Sequence, residues 1–297
     1  MTENQACRNP GCYFDALTGA EHCWQHLPDK EKYREFIAGQ AAADNLAGAF
    51  LPNADLQGLD FRGCDLGGAV LTGAYLEGAV FNRCDLGGAV LTRAHLSCAS
   101  FVEADMRGAL LEGAFAHEAS FRSAALQDAS LDYASCRSAD FSGAALDDAS
   151  AQIADMRATC FTGCSAQRLL AQFSFFFNAD LSSASLRSAV LGGAKMHDVN
   201  LDRSDLFDAN LIGADLSFAR AVGASFARAR LGLCNFYRTN LHGALFEGAI
   251  AREANFQEAN LEGASFKGAI LQRAMLRNAR YDQSALGAAG NTDGLRT

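Results

Sequence analysis

Proline is almost absent from this chain, three residues in 297. Linkers and disordered tails are enriched in proline, so its scarcity points to a continuously ordered chain. Positive charge is also in short supply: 25 Lys and Arg face 34 Asp and Glu, a formal net charge of −9. A nucleic-acid coat needs a cationic surface, so direct nucleic-acid binding is not expected. No apolar run approaches the roughly eighteen residues of a membrane-spanning helix. The opening MTENQACRNP has neither the basic stretch nor the apolar core of a signal peptide. The expectation is a cytoplasmic protein without a membrane span. No glycine-rich phosphate loop is present, and the outer histidines His95, His117, His197 and His242 form no set with a nucleophile, so no enzyme is expected.

What the chain has in excess is alanine and glycine, and both follow a period of five. From Leu46 to Leu286 every fifth residue is Leu, Phe, Met or Tyr at 42 of 49 positions. Two residues before each of these, from Ala49 to Ser284, Ala fills 36 of 48 positions. Neither a helix nor a strand repeats every five residues, so the period marks a repeat architecture. A small and a large apolar residue two apart share one side of an extended segment. Both can point into a core while the other three residues face out, and a turn after each pentad makes one side of a square coil.

A second period of twenty supports four sides per coil. Phe61, Phe81, Phe101, Phe121, Phe141 and Phe161 form a column at that spacing, and GCDLGGAVLT at 63–72 recurs as RCDLGGAVLT at 83–92. The phase shows no slip from Leu46 to Leu286, which predicts no long side loops.

With Ala-Asp-Leu at 54–56, 179–181 and 214–216, and Ala-Asn-Leu at 209–211 and 259–261, the chain resembles the pentapeptide-repeat family, whose motif is A(D/N)LXX. The resemblance implies an all-β solenoid, a right-handed quadrilateral β-helix with a solid interior, over residues 46–286. About twelve coils at the strand spacing of roughly 4.8 Å give a rod of about 58 Å. It also implies an alternative function, since some members of the family act as DNA mimics that bind and protect DNA gyrase.

The first 45 residues differ. Cys7, Cys12, Cys23 and His26 form C-x4-C-x10-C-x2-H, a soft four-ligand set suited to a structural Zn²⁺. Reduced thiols or a disulfide are the other readings of the same residues. Residues 1–27 are expected as a zinc-knuckle-like module and 28–45 as a helix capping the first coil, with Tyr33, Phe36, Ile37 and Ala41 on one face. Residues 287–297 are expected as a flexible tail.

Function is then expected on the outer faces. One side carries apolar residues just before the inward position in eight of twelve coils: Phe50, Val70, Val90, Leu110, Leu170, Val190, Ile250 and Ile270. At 169–177, LLAQFSFFF places Phe173, Phe175 and Phe177 outward beside Leu170 and Val190. These residues are the expected contact surface for a protein partner, DNA gyrase or a second copy of the chain. Residues 46–160 hold 15 acids and 7 bases, whereas residues 161–297 hold 12 and 14.

Overall fold

The structure is a computed structural model and describes residues 5–297. Residues 1–4 of the expected N-terminal module lie outside the described residues.

From Leu46 onward each pentad does the same thing. Three residues cross one wall of the rod, as Ala69, Val70 and Leu71 do, and the next two turn a corner closed by a hydrogen bond such as Ala74 N to Leu71 O, 3.0 Å. The small and the large residue are buried and the residue between them looks outward. Consecutive coils pair in parallel at a separation of twenty residues, Phe50 with Val70 and Val70 with Val90, and so on to Ile270. The bonds alternate up and down: Val70 N donates to Ala49 O and Leu51 N to Val70 O, each 2.8 Å. Four walls per coil and one paired residue per wall make a square rod whose backbone groups are satisfied without long strands.

The interior is mostly apolar and columnar. The rings of Phe61, Phe81, Phe101, Phe121, Phe141 and Phe161 stack at 4.7–5.0 Å, with interplanar angles of 3–8°. Two further columns, Phe226–Phe246–Phe266 and Phe236–Phe256, meet edge to face in the C-terminal half. The first column ends where Phe161 meets the tilted Phe176, 6.0 Å away. There Leu169 fills a slot normally held by Ala, beside the undersized Ala166 and Ala171, and all three are buried. Buried hydroxyls are bonded: Ser174 Oγ to Ala151 O, Thr159 Oγ1 to Met156 O (2.6 Å) and Thr239 Oγ1 to Leu216 O (2.7 Å).

The first coil is closed by the N-terminal residues. Helix α1 spans Lys30–Ala42 and starts at Asp29, whose carboxylate accepts from Lys32 N. Tyr33, Ile37 and Ala41 are buried in one cluster with Leu17 and the first coils. Phe36 instead lies partly exposed, its ring over Gly19 (φ +71), where a Cβ would meet it at 2.6 Å. Thr18 stands in for the missing preceding coil: its N–H donates to Phe50 O (2.9 Å) and its Oγ1 accepts from Phe50 N (2.6 Å). Arg34 does the same on the next wall, donating to Asp55 O and Gln57 O, each at 2.8 Å. Backbone groups on two of the four walls of the first coil are thereby satisfied.

The C-terminal end departs from expectation twice. The phase slips by one residue after Tyr281, where Gln283–Gly287 forms the short helix α2. Leu286 therefore sits on this helix, packed against the core from outside, and is not an inward pentad position. Residues 287–297 are not a loose tail: Ile270 pairs with Asn291 and Met275 with Arg296, at a separation of 21. Leu271 N donates to Asn291 O and Leu276 N to Arg296 O. The physical reason is the open edge of the last regular coil, which this segment satisfies despite its lost pentad pattern.

Candidate functional sites: a Cys/His cluster and an exposed apolar corner

The N-terminal module is a small hairpin followed by a single turn. Ala6 pairs antiparallel with Asp15, and Gly11, at φ +79, allows the turn closed by Cys12 N to Asn9 O. This brings Cys7 and Cys12 to one point. The turn Trp24–His26, with His26 N bonded to Cys23 O at 3.0 Å, delivers the other two side chains. The ligand atoms of Cys7, Cys12, Cys23 and His26 all lie within 4.8 Å of one another. Cys12 Sγ is 3.7 Å from Cys23 Sγ, and His26 Nδ1 is 3.5 Å from Cys7 Sγ and 3.3 Å from Cys23 Sγ.

These separations can be tested against a metal. Metal–sulfur bonds of about 2.3 Å and metal–nitrogen bonds of about 2.05 Å at tetrahedral angles give edges of about 3.8 Å and 3.5 Å. The donor set fits that tetrahedron, and it could hold a metal ion. Its electrostatics point the same way. Burial alone would raise the Cys7 thiol, but bonds from the Cys23 and Asn9 backbone and from His26 and Cys12 bring it down to about 6. A bond from the Phe14 backbone favours the Cys12 thiolate, but burial and the neighbouring Cys23 and Cys7 sulfurs outweigh it and hold Cys12 above its ordinary value. Crowded sulfurs of this kind are relieved by a cation between them.

Several other chemistry-bearing side chains are engaged in local contacts. Burial pushes the thiols of Cys84, Cys136 and Cys164 up to about 12 and Cys64 to about 11, so they pack as small apolar groups. Asp65 and Asp85 each accept from the backbone amide two residues on, at Gly67 and Gly87, and Asp105 pairs with Arg107. Among the outer histidines, His117 bonds Ser135, His197 bonds Asp198 and stacks on Phe177, and His95 stacks between Tyr75 and Phe115.

The apolar side is interrupted rather than continuous. Phe50, Val70, Val90 and Leu110 form one run, Ser130 and Ser150 break it, Leu170 and Val190 form a second, and Asn210 and Arg230 separate these from Ile250 and Ile270. On the adjoining wall Tyr75, His95 and Phe115 stack at 4.6 and 5.2 Å. This ladder was readable from the same spacing of twenty but lies outside the side singled out from sequence.

The strongest surface feature lies on a corner. The second turn residue of each pentad sits in the left-handed region, as at Gly68 (φ +64), and glycine often fills it. Three successive coils instead place Tyr133 (φ +60), Ile153 (φ +55) and Phe173 (φ +59) there. Tyr133 and Phe173 remain 64% and 63% exposed. Phe173 leans over Gly193, where a Cβ would lie 2.6 Å from its ring. Phe175 is exposed mid-wall, and Phe177 is half-buried at the next corner, edge-on to Phe175 at 5.9 Å and stacked on His197 at 4.0 Å. The three phenylalanines thus span one wall, and His197 covers only the far end.

Comparison with known proteins bears on the rod. A family model described as pentapeptide repeats matches in eight copies between residues 45 and 280. Among solved structures, the chain is similar to HetL, a pentapeptide repeat protein involved in heterocyst differentiation regulation from the cyanobacterium Nostoc sp. strain PCC 7120. The two are 30% identical over 83% of this chain and 98% of HetL, with a TM-score of 0.43. QnrB1, a plasmid-mediated fluoroquinolone resistance protein, is 16% identical over 64% of this chain and 89% of its own, with a TM-score of 0.44. Rfr23 from the cyanobacterium Cyanothece 51142 is 24% identical over 40% of this chain and 60% of its own, with a TM-score of 0.25. No curated protein matches. Among the described residues no helix is long and apolar enough to cross a membrane. The pentads, the four-walled coil and the family match together place this chain in the pentapeptide-repeat family of right-handed quadrilateral β-helices.

Proposed function

We propose that the protein is a non-catalytic, cytoplasmic binding scaffold that works through the outer faces of its rod, with a structural Zn²⁺ held by Cys7, Cys12, Cys23 and His26. Its principal contact is the wall and corner formed by Phe173, Phe175, Phe177, Leu170 and Val190, extended by Tyr133 and Ile153. The earlier coils, with Val70, Val90 and Leu110, offer a secondary surface.

The corner carries this reading. A left-handed backbone costs a residue with a Cβ about 1–2 kcal/mol, and an exposed aromatic ring gains nothing from the core. Neither the fold nor its stability calls for Tyr133, Ile153 and Phe173 on three successive coils. A binding partner that buries them does, because aromatic side chains in a desolvated contact supply most of the energy of an interface. The partner is another protein or a second copy of the chain. Replacing Phe173, Phe175 and Phe177 with Ser should leave the circular dichroism unchanged and weaken association in light scattering and in pull-down from the native host. Wild-type association in the triple variant would remove this surface from the account.

A second reading, a DNA mimic that protects DNA gyrase, draws on the acidic surplus of residues 46–160. Of the fifteen acids there, some are paired with the seven bases of the same stretch, Asp60 with Arg62 and Asp155 with both Arg137 and Arg157, which leaves a net charge of −8 over about six coils. What remains is well below the duplex density of about one charge per 1.7 Å, so this reading ranks second. A gyrase supercoiling assay with and without a fluoroquinolone decides it, and unchanged inhibition by the drug eliminates it.

A further inference from the structure

We propose that the crevice between the Cys/His module and the first coil is an anchor pocket for a protein partner. It would take one large aromatic side chain presented by a segment rich in Lys and Arg. The inference rests on the scaffold reading and specifies the chemistry of one partner.

The crevice encloses about 230 Å³ and is walled by Tyr13, Phe14, Trp24, Phe50 and Pro52, with Asp15 at its edge. A cavity of roughly 150 Å³ lined by apolar side chains accepts benzene, so there is room here for one ring. Tyr13 is 99% exposed and Phe14 about half exposed. Phe50 belongs to both the crevice and the side column, so a chain leaving the pocket along the rod meets Val70, Val90 and Leu110 in turn. Buried aromatic anchors in such pockets dominate interface energies.

Charge selects the flanking residues. Residues 1–160 contain 22 acids and 11 bases, whereas residues 161–297 contain 12 and 14. The pocket lies in that acidic half: the residues around it, 5–62, hold eight acids and five bases, Asp15 lines it, and Lys30 stands over the Trp24 ring at 5.1 Å. A cationic segment is attracted to it and an acidic one repelled, an effect that sets partner choice as well as association rate. Cys23 lines the crevice and also belongs to the Cys/His cluster, so the shape of the pocket depends on the module that a metal would hold together.

Trp24 is the sole tryptophan and lies in the pocket wall, so its fluorescence reports occupancy directly. The probes are a synthetic Lys-Phe-Lys-Val-Lys-Val peptide and its counterpart with Glu in place of Lys. The Lys peptide should shift Trp24 emission saturably, and the Glu peptide should bind about tenfold more weakly or not at all, a difference of roughly 1.4 kcal/mol. Tyr13→Ala and Phe14→Ala, both outside the core, should each weaken the Lys peptide about tenfold without changing the circular dichroism. Equal binding of the two peptides, or full affinity in both variants, overturns the proposal. So does a concentration-dependent Trp24 shift of the protein alone that tracks a doubling of mass, since a second copy would then fill the pocket. Serine at Phe173, Phe175 and Phe177 should leave the peptide response intact. A failed peptide titration beside intact patch-dependent association therefore rejects the pocket and leaves the scaffold reading standing.

Discussion

Phe121→Ala tests the columnar core most directly. The ring is fully buried and is stacked between Phe101 at 5.0 Å and Phe141 at 4.7 Å, nearly parallel to both. A phenylalanine buries at least about 150 Å², which at about 25 cal/mol/Å² is worth about 4 kcal/mol. The cavity cannot collapse, because the wall is pinned above and below by hydrogen bonds such as Phe121 N to Asp140 O and Phe101 N to Ser120 O, each 2.7 Å. The loss should therefore reach the upper part of the usual 3–5 kcal/mol range for Phe→Ala. Phe176→Ala should cost less, about 3 kcal/mol, because that ring is tilted beside the undersized Ala171 and its surroundings can relax. Urea denaturation followed by circular dichroism measures both, with the exposed Phe115→Ala as control. The reasoning fails if Phe121→Ala costs no more than the control, or if the order of Phe121 and Phe176 is reversed.

Four further outcomes follow from the structure. Purified protein should carry one Zn²⁺ per chain by elemental assay, and Cys12→Ala should release it while the β-rich circular dichroism persists; a metal-free wild type with unchanged behaviour would contradict the module's reading. Ile153→Gly should leave stability unchanged or raise it by up to about 1 kcal/mol, since relief of the left-handed strain outweighs the entropy of glycine, and a clear loss in a thermal melt would show that Ile153 serves the fold. In native protein at pH 8 a thiol reagent should modify the exposed Cys98 and leave Cys64, Cys84, Cys136, Cys164 and Cys234 silent, because burial holds these five in the unreactive thiol form. With metal absent, the depressed Cys7 pKa makes its thiolate favour the folded module at pH 9 and above, a contribution that should shrink as pH falls and vanish below about 6; the raised Cys12 thiol opposes it, so the comparison is made in Cys12→Ala protein, where melting that is flat across that window would refute the cause given for the shift.

The rod was legible in the sequence because its rule is local and repeats without interruption. A small and a large residue two apart fix which side chains point in, and the Phe61–Phe161 column fixes four walls. The Cys/His cluster was legible for a similar reason, since few other arrangements use three cysteines and a histidine at such spacing. What escaped was whatever depends on backbone angles or on a broken pattern. The positions of Tyr133, Ile153 and Phe173 were visible, but their meaning rests on a positive φ that no spacing reveals. The pairing of Asn291 and Arg296 was hidden because a one-residue slip removes the pentad signature while leaving the hydrogen-bonding demand of the last coil in place. The Thr18 and Arg34 contacts that seal the first coil join residues more than twenty positions apart with no repeating signal.

The pairing of each wall with the wall twenty residues later has a consequence for insertions and deletions. Removing twenty residues within the regular rod shortens it by one coil and returns every later side chain to its original wall. Removing five keeps small and large residues alternating into the core, but it breaks the aromatic column, since after a cut between them Phe141 would no longer stack on Phe121. It also turns everything downstream by a quarter revolution. Such a cut between Leu126 and Leu131 would carry Leu170 out of the column of Val70 and Val90 and bring Phe175 into that column from the one that holds Tyr75 and Phe115. The in-and-out rule therefore counts in fives, whereas the aromatic columns and the outer faces count in twenties, so a twenty-residue deletion preserves all three and a five-residue deletion only the first.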